Sequence, residues 1–135
     1  MDKSKEYIQM GIKAKELQDF HRFGEGDYFY FSKIGIKVVK SMQGEYLLSD
    51  DIHKYPMVDC YWLPNKEQLK EKISKFISDV EYLYSQFCHD RKRTWKYPPP
   101  IRYFRTDEQR LLALFMAERY KKFWIKEEWI KDENF

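Results

Sequence analysis

The sequence predicts a single α+β domain over residues 1–135, with a small antiparallel sheet packed against an N-terminal helix and two long C-terminal helices. Apolar residues recur at helical spacing near the N-terminus and twice in the C-terminal half. The stretch from 27 to 63 is rich in β-branched and aromatic residues interrupted by Gly turns, and Pro64 separates the two patterns. At 135 residues, the chain is long enough for one hydrophobic core and too short for two independent ones.

The first predicted element is a helix over residues 3–19. Its apolar side chains fall on one stripe at spacings of three and four, at Tyr7, Met10, Ala14 and Leu17. Gly11 lies inside this pattern and weakens the helix by about 1 kcal/mol relative to Ala. The GEGD stretch at 24–27 then interrupts the periodicity, so we expect the helix to end before it.

Residues 27–63 are predicted to form three or four antiparallel strands. In the aromatic run Tyr28–Phe31, alternate side chains should face opposite sides, so that one pair of rings enters the core. The outer pair could be a recognition surface, or a helix could cover it. The last strand should end at Leu63, because the following Pro64 disfavours helical backbone there but suits the first turn of a helix.

Two long helices are predicted over 65–90 and 106–124. The first has the strongest helical periodicity in the chain, at Leu69, Ile73, Phe76, Ile77, Val80, Leu83, Tyr84 and Phe87. The second should begin at Thr106, whose hydroxyl can cap the first amides while Gln109 reaches back. Its one buried face is predicted to contain Leu111, Leu112, Phe115, Met116, Tyr120 and Phe123. The tail at 125–135 fits either a helical extension or a pair of short strands.

Composition and charge restrict the environment of the protein more than its chemistry. A net charge of +3 falls short of the balance that would by itself indicate nucleic acid. No apolar run approaches the roughly 20 residues of a membrane span, and the first ten residues lack the apolar core of a signal peptide. We therefore expect a cytoplasmic protein without membrane association, in which Cys60 and Cys88 are reduced and buried. Trp62 and Trp124 are expected to anchor the core.

Catalytic and metal-binding patterns are absent from the sequence. His21, His53 and His89 lie in three different segments, without a His or Cys at metal-ligand spacing, and no phosphate-binding loop or nucleophile elbow is present. Cys88 adjoins His89, but neighbouring side chains on a helix point about 100° apart. The sequence thus predicts a protein that is not an enzyme and has no metal and no cofactor.

The segment 91–105 is the predicted binding site, read as a basic loop in which three consecutive prolines at 98–100 exclude a helix. Cations interleaved with aromatic rings could follow a phosphate backbone and stack on bases, or could grip an acidic protein surface or a nucleotide. The alternative is a solvated loop whose rings pack onto the domain. The residues proposed for binding are Arg91, Lys92, Arg93, Trp95, Lys96, Tyr97, Arg102, Tyr103 and Arg105.

Two motifs, WLPNKEQL at Trp62–Leu69 and TDEQRLLALFMAERYKKFWIKEEW at Thr106–Trp129, carry a resemblance. The chain resembles a family of small, uncharacterised proteins from phages and prophages of Gram-positive bacteria. The matching residues are Trp62, Leu63, Pro64, Gln68 and Leu69, then Thr106, Glu108, Gln109, Leu112, Ala113, Met116, Glu118, Tyr120, Trp124 and Trp129. Two departures stand out: Ile125-Lys126 replaces a Gly-containing turn between the last two tryptophans, and the insertion at 89–103 is particular to this chain.

The resemblance implies a phage origin and action in the cytoplasm of an infected bacterium, without implying any chemistry. The first expectation is a non-enzymatic accessory protein that binds a host factor, such as a protein component of an antiviral defence system. The alternatives are nucleic-acid binding through 91–105, or sequestration of a nucleotide signal, which would need a preformed pocket with convergent Arg and aromatic side chains. Phosphate-driven binding must weaken steeply as salt rises, whereas binding to a protein need not. The target and the oligomeric state are not specified by the sequence.

Overall fold

The computed structural model describes residues 1–19, 21–90, 95 and 98–132. These residues form an α+β structure with six helices and three small antiparallel sheets, which confirms the predicted class. The chain forms two compact units: an N-terminal unit, Lys3–Pro64, and a C-terminal unit, Met1–Asp2 with Asn65–Phe135. The expected arrangement of one sheet with two long C-terminal helices is wrong, for reasons given element by element below. The assignment of 1–135 to a single domain stays a prediction.

The predicted N-terminal helix is divided into α1, Lys5–Lys13, and α2, Lys15–Asp19. The division is at Ala14, whose ψ of 77° takes the backbone out of the helical region. Helical periodicity continues across Ala14, which is itself fully buried, so a single helix over 3–19 was the wrong interpretation. The spacing of apolar residues indicates which side chains are buried. It does not reveal a change in ψ at one residue between them.

Gly11 gives α1 a close approach to the strand at Cys60–Leu63. A Cβ atom at this position would lie 3.1 Å from Leu63 Cδ2, which is tighter than ordinary packing. In addition, the Tyr7 hydroxyl donates a hydrogen bond to the Pro64 carbonyl at 2.6 Å. The cost of Gly to helix propensity is therefore offset by contact between α1 and this strand.

Six strands in the N-terminal unit form two three-stranded antiparallel sheets instead of the single predicted one. The strands are β1 Tyr28–Phe31, β2 Gly35–Val38, β3 Ser41–Gln43, β4 Tyr46–Leu48, β5 Lys54–Pro56 and β6 Cys60–Leu63, with a 3-10 turn at Met57–Asp59 between β5 and β6. One sheet has the order β2-β1-β6 and the other β3-β4-β5. Because β6 pairs with β1 rather than with β5, the second sheet is an excursion between two strands of the first. The alternation of inward and outward side chains within a short strand does not indicate which distant strand it pairs with.

Side chains from both sheets form the core of the N-terminal unit. One cluster of buried side chains in this core contains Phe29, Val39, Leu47, Tyr55 and Cys60. Within β1, Phe29 is fully buried and Phe31 packs partly buried against this core, whereas Tyr28 and Tyr30 have intermediate exposure. The predicted alternation of the aromatic run is thus confirmed.

In the C-terminal unit, the predicted helix over 65–90 is interrupted, giving α3 Lys66–Ser74 and α4 Val80–Cys88. The start of α3 is as expected, since Asn65 and Gln68 form a reciprocal capping box. A second start follows where Asp79 Oδ1 accepts a hydrogen bond from the Tyr82 amide at 3.0 Å. The continuous buried face is therefore wrong: Phe76 is 37% exposed, and Leu83 is only partly buried.

A four-residue helix, α5 Pro100–Tyr103, lies within the segment predicted to be a loop. The expectation that the prolines exclude a helix is wrong for Pro100. The amide hydrogen of a first-turn residue has no acceptor within the helix. Proline, which lacks this hydrogen, is therefore tolerated there.

The last helix, α6 Asp107–Tyr120, begins as the sequence predicts. Thr106 Oγ1 accepts from the Gln109 amide at 3.2 Å, and Gln109 Oε1 accepts from the Arg105 amide at 3.0 Å. Asp2 adds a carboxylate that accepts from the Thr106 hydroxyl at 2.6 Å. The predicted single buried face is wrong, because every residue from 111 to 117 is buried. A helix apolar on all sides at its centre is a core helix and not an amphipathic surface helix.

The predicted helix over 106–124 ends early, because Lys121 adopts φ 57°, the left-handed conformation that terminates helices. A hairpin follows, formed by β7 Lys122–Ile125 and β8 Glu128–Lys131, so the strand alternative for the tail is the correct one up to 131. The rings of its two tryptophans, Trp124 and Trp129, have centroids 5.1 Å apart. Residues 133–135 lie outside the described residues.

The two residues of the hairpin turn have positive φ values, which are unfavourable for side chains other than Gly, Asn and Asp. Lys126 and Glu127 have φ values of 49° and 65°, the type I′ geometry that favours Asn-Gly. We expect Lys126→Asn to raise the free energy of unfolding by about 0.5 kcal/mol and Lys126→Val to lower it by about 1 kcal/mol, because a β-branched side chain opposes positive φ. Urea unfolding of the two variants measures the difference. Equal stabilities would exclude this turn conformation.

Candidate functional site

The predicted binding segment 91–105 is only partly described. The members outside the described residues are Arg91, Lys92, Arg93, Lys96 and Tyr97. Trp95 is 3% exposed, and its ring centroid lies 5.1 Å from that of Phe123 and 5.6 Å from that of Phe104. The Trp95 ring therefore belongs to the core of the C-terminal unit and offers no surface on which a base could stack.

The remaining predicted residues, Arg102, Tyr103 and Arg105, are exposed at or next to α5. Tyr103 is 38% exposed, with its ring edge-on to Phe104 at 4.8 Å. A further cation, Arg110, has a structural role that the sequence did not suggest: its Nη2 donates to the Phe104 carbonyl at 2.9 Å. Arg102, Tyr103 and Arg105 thus define an exposed basic edge.

A pocket of about 530 Å³ lies on the N-terminal unit. The end of α2, the loop that follows it, the 3-10 turn and β6 form its walls. Its lining residues are Gln18, Asp19, His21, Arg22, Phe23, Met57, Val58, Cys60 and Tyr61. The volume falls within the range of small-molecule sites, and the lining combines aromatic and apolar side chains with a few polar groups, as such sites do.

Gln18 fixes α2 to the outer edge of β6. Its Oε1 accepts from the Trp62 amide at 2.7 Å, and its Nε2 donates to the Trp62 carbonyl at 2.9 Å. One side-chain amide thus bonds both backbone groups of a strand residue, as the peptide of a neighbouring strand would. Nε2 also donates to the Gly11 carbonyl at 2.9 Å, which holds α1 and α2 at a fixed distance from the pocket wall.

His21 is held in the pocket wall from two directions. Its Nε2 lies 2.9 Å from Asp27 Oδ2, and its ring stacks on Trp62 with centroids 3.5 Å apart and planes 2° apart. Asp27 Oδ2 also accepts from the Gly24 amide at 2.9 Å, so the carboxylate is itself positioned by the turn before β1. Trp62 is 2% exposed, which confirms its predicted place in the core.

Cys60 contributes a thiol to the pocket, but not a nucleophile at neutral pH. Burial, with a smaller effect of the nearby Asp59 carboxylate, raises the pKa of the Cys60 thiol to about 11. Sγ donates to the Pro56 carbonyl at 3.2 Å. Because the thiolate is the reactive form, Cys60 lines the pocket as an uncharged, unreactive thiol.

The pocket opening is bordered by exposed side chains of contrasting chemistry. Val58, in the 3-10 turn, is 89% exposed, which is unusual for an aliphatic residue beside a cavity. Asp19 and Arg22 are also exposed, and neither forms an ion pair with any residue the structure describes. The opening therefore presents an apolar contact, a cation and an anion to a ligand.

Neither a metal centre nor a membrane-spanning helix is found within the described ranges. No group of three or more His, Cys, Asp and Glu side chains there could hold a metal ion. Across the same residues, no helix is both long and apolar enough to span a bilayer. His53 and His89 are exposed, so His21 is the histidine that belongs to the pocket.

The sequence contained a weak signal for this pocket that the prediction did not use. His21, Arg22 and Phe23 are consecutive between a helix and a Gly turn, a loop position in which functional side chains are often found. The opposite wall, from the 3-10 turn and β6, lies more than 30 residues later in the chain. The two segments meet through the hydrogen bonds of Gln18 to Trp62 and the stacking of His21 on Trp62, on a strand that pairs with β1.

Comparison with known proteins gives no relative for this chain. No protein-family profile matches it, no curated protein matches it, and no solved structure matches its fold.

Proposed function

We propose that this protein acts by binding rather than by catalysis, and that the pocket of the N-terminal unit is its binding site. The observation that carries the proposal is the preformed pocket itself, with Val58 89% exposed at its opening and Arg22 without an ion pair among the described residues. Gln18 and His21 are both fixed by hydrogen bonds to the surrounding backbone or carboxylate, so the pocket wall is ordered before a ligand arrives. Preorganisation of this kind favours binding because less entropy is lost.

The non-enzymatic part of the proposal is supported by the state of the pocket thiol. Burial keeps Cys60 protonated at neutral pH, so it is a poor nucleophile. The biological setting rests on the resemblance at Trp62–Leu69 and Thr106–Trp129 to phage and prophage proteins. On that basis the protein acts in the cytoplasm of an infected bacterium. There it binds a host factor, such as a component of an antiviral defence system.

A matched pair of substitutions tests this function. Val58 and Ile52 are both β-branched, lie in the same unit and are 89% and 95% exposed, but only Val58 is in the pocket lining. We expect tagged wild-type protein and Ile52→Asp to retain the same factor from infected-cell lysate, analysed for proteins and for extracted small molecules, and Val58→Asp to lose it. Because both residues are exposed, neither change should alter stability by more than about 0.5 kcal/mol. Equal retention by both variants would refute the pocket as the binding site.

Nucleic-acid binding is the second candidate, favoured by the exposed cations Arg102 and Arg105 beside Tyr103. The buried position of Trp95 removes one stacking ring from that surface. A complex that is lost in Val58→Asp favours the pocket, whereas a complex that survives Val58→Asp and weakens steeply as salt rises favours the basic edge.

A further inference from the structure

Several side chains in the pocket have recognition groups that the described part of the chain does not use. Arg22 and Asp19 make no ion pair there, and the Tyr61 ring makes no contact with another described ring. His21 bonds Asp27 through Nε2, and its Nδ1 makes no hydrogen bond within the described ranges. The pocket therefore combines a cation, a carboxylate, an aromatic face and an imidazole nitrogen, all available to a ligand.

The cationic side fits a phosphate group. The Arg22 guanidinium presents its N–H donors in a planar fork that matches phosphate oxygens. When His21 Nε2–H donates to Asp27 Oδ2 at 2.9 Å, the other ring nitrogen, Nδ1, can accept a hydrogen bond from a hydroxyl or amino group of a ligand. Arg22 and His21 line the same cavity, so a ligand whose phosphate meets Arg22 can also place a hydrogen-bond donor at His21.

The remaining groups fit a nucleoside. Tyr61 offers a ring face on which a base can stack, and Phe23 adds apolar surface from the facing loop. The Asp19 carboxylate can accept hydrogen bonds from ribose hydroxyls or from the amino group of a base. Because Asp19 also repels anions, the pocket should disfavour inorganic phosphate and favour a ligand that carries donors beside its phosphate.

We propose that the pocket binds a nucleoside monophosphate, with its phosphate at Arg22, its base against Tyr61, and its donors at Asp19 and His21. This inference rests on the proposed function and names the chemical class of the host factor as a nucleotide. A pocket of about 530 Å³ is large enough for one such unit. The same chemistry is present in a free nucleotide and in the 5′-phosphorylated end of a single strand.

Isothermal titration of the purified full chain tests the ligand class. The probes are AMP, GMP, CMP and UMP, each compared with its nucleoside and with inorganic phosphate. We expect at least one nucleotide to bind about tenfold more tightly than its nucleoside and than phosphate, a difference equivalent to about 1.4 kcal/mol. A 5′-phosphorylated tetranucleotide separates the two sources: tighter binding than the mononucleotide indicates a strand end, and weaker binding indicates a free nucleotide.

Three variants assign the contacts. Arg22→Ala and Tyr61→Ala should each weaken binding about tenfold or more, whereas Tyr61→Phe, which keeps the ring, should bind as wild type. Ile52→Asp is the control outside the pocket and should leave the affinity unchanged. Arg22 is exposed and Tyr61 only partly buried, so urea unfolding should show that all the variants are folded.

The outcomes separate this inference from the proposed function. Absence of heat and of thermal stabilisation with all four nucleotides, or equal affinity in Arg22→Ala, would overturn the nucleotide assignment. If a host factor is nevertheless retained in a Val58-dependent manner, the pocket remains the binding site for a ligand of another class. Loss of Val58 dependence together with the absence of nucleotide binding would overturn both.

Discussion

Leu114→Ala is expected to lower the free energy of unfolding by about 2–5 kcal/mol, as measured by urea or thermal unfolding. Leu114 is fully buried on α6, although it lies off the apolar stripe that the sequence predicts for this helix. The truncation leaves a cavity in a helix that is enclosed from 111 to 117, where the surrounding side chains cannot relax freely. The size of the loss thus distinguishes a core helix from an amphipathic one.

Leu83→Ala provides the control for this experiment. Leu83 lies on the face that helical periodicity predicts to be buried, yet α4 leaves it partly exposed. Its truncation should therefore cost about 1 kcal/mol, less than that of Leu114. If Leu83→Ala were the more destabilising of the two, the periodicity would be the better guide and the enclosure of α6 would be refuted.

Gln18→Ala is expected to destabilise the protein by about 2–4 kcal/mol, because it removes the partner of two backbone groups of Trp62 and of the Gly11 carbonyl. The cost arises from desolvated groups that lose their hydrogen bonds and not from the removed methylene groups alone. Since Gln18 also lines the pocket, the substitution should weaken Val58-dependent binding as well.

Gln43→Ala is the matched control for Gln18→Ala. Gln43 lies in the same unit on β3, where it is exposed, so the same substitution should change the free energy of unfolding by less than about 0.5 kcal/mol. Similar urea midpoints for the two variants would show that the Gln18 amide does not secure the edge of β6.

The starts of α3 and α6 were predictable, because the signal for each lies within a few residues. Thr106 caps α6 through the Gln109 amide, and Asn65 begins α3 immediately after Pro64. Asp79 begins α4 by the same mechanism. Its signal was overlooked because the apolar periodicity continues through it, which shows that a cap within a periodic run can mark a helix boundary.

The extent of burial around α6 was not predictable from its own sequence. Glu108 and Gln109 are polar, yet both are buried at its start, where the Glu108 carboxylate accepts from the Lys66 amide at 3.2 Å. Periodicity separates an apolar face from a polar one, but it cannot show that neighbouring elements surround a helix. The number of neighbours is a property of the tertiary structure.

The candidate site shows the same division. The sequence directed attention to cations at 91–105, where charge and aromatic residues are concentrated locally. The pocket instead combines Arg22 and His21 from one segment with Val58 and Tyr61 from another. Neither segment is conspicuous alone, and the combination depends on contacts between them, such as the hydrogen bonds of Gln18 to Trp62.

The sequence by itself determined the α+β class, the strand end at Leu63, the start of a helix directly after Pro64, the cap at Thr106, and the burial of both Trp62 and Trp124. These follow from local backbone sterics, capping hydrogen bonds and the free energy of burying large apolar side chains. The tertiary structure alone decided which strands pair, where Ala14 and residues 75–79 interrupt the helices, and which side chains meet in the pocket. Those outcomes depend on contacts between residues distant in sequence, whose free energies no local pattern contains.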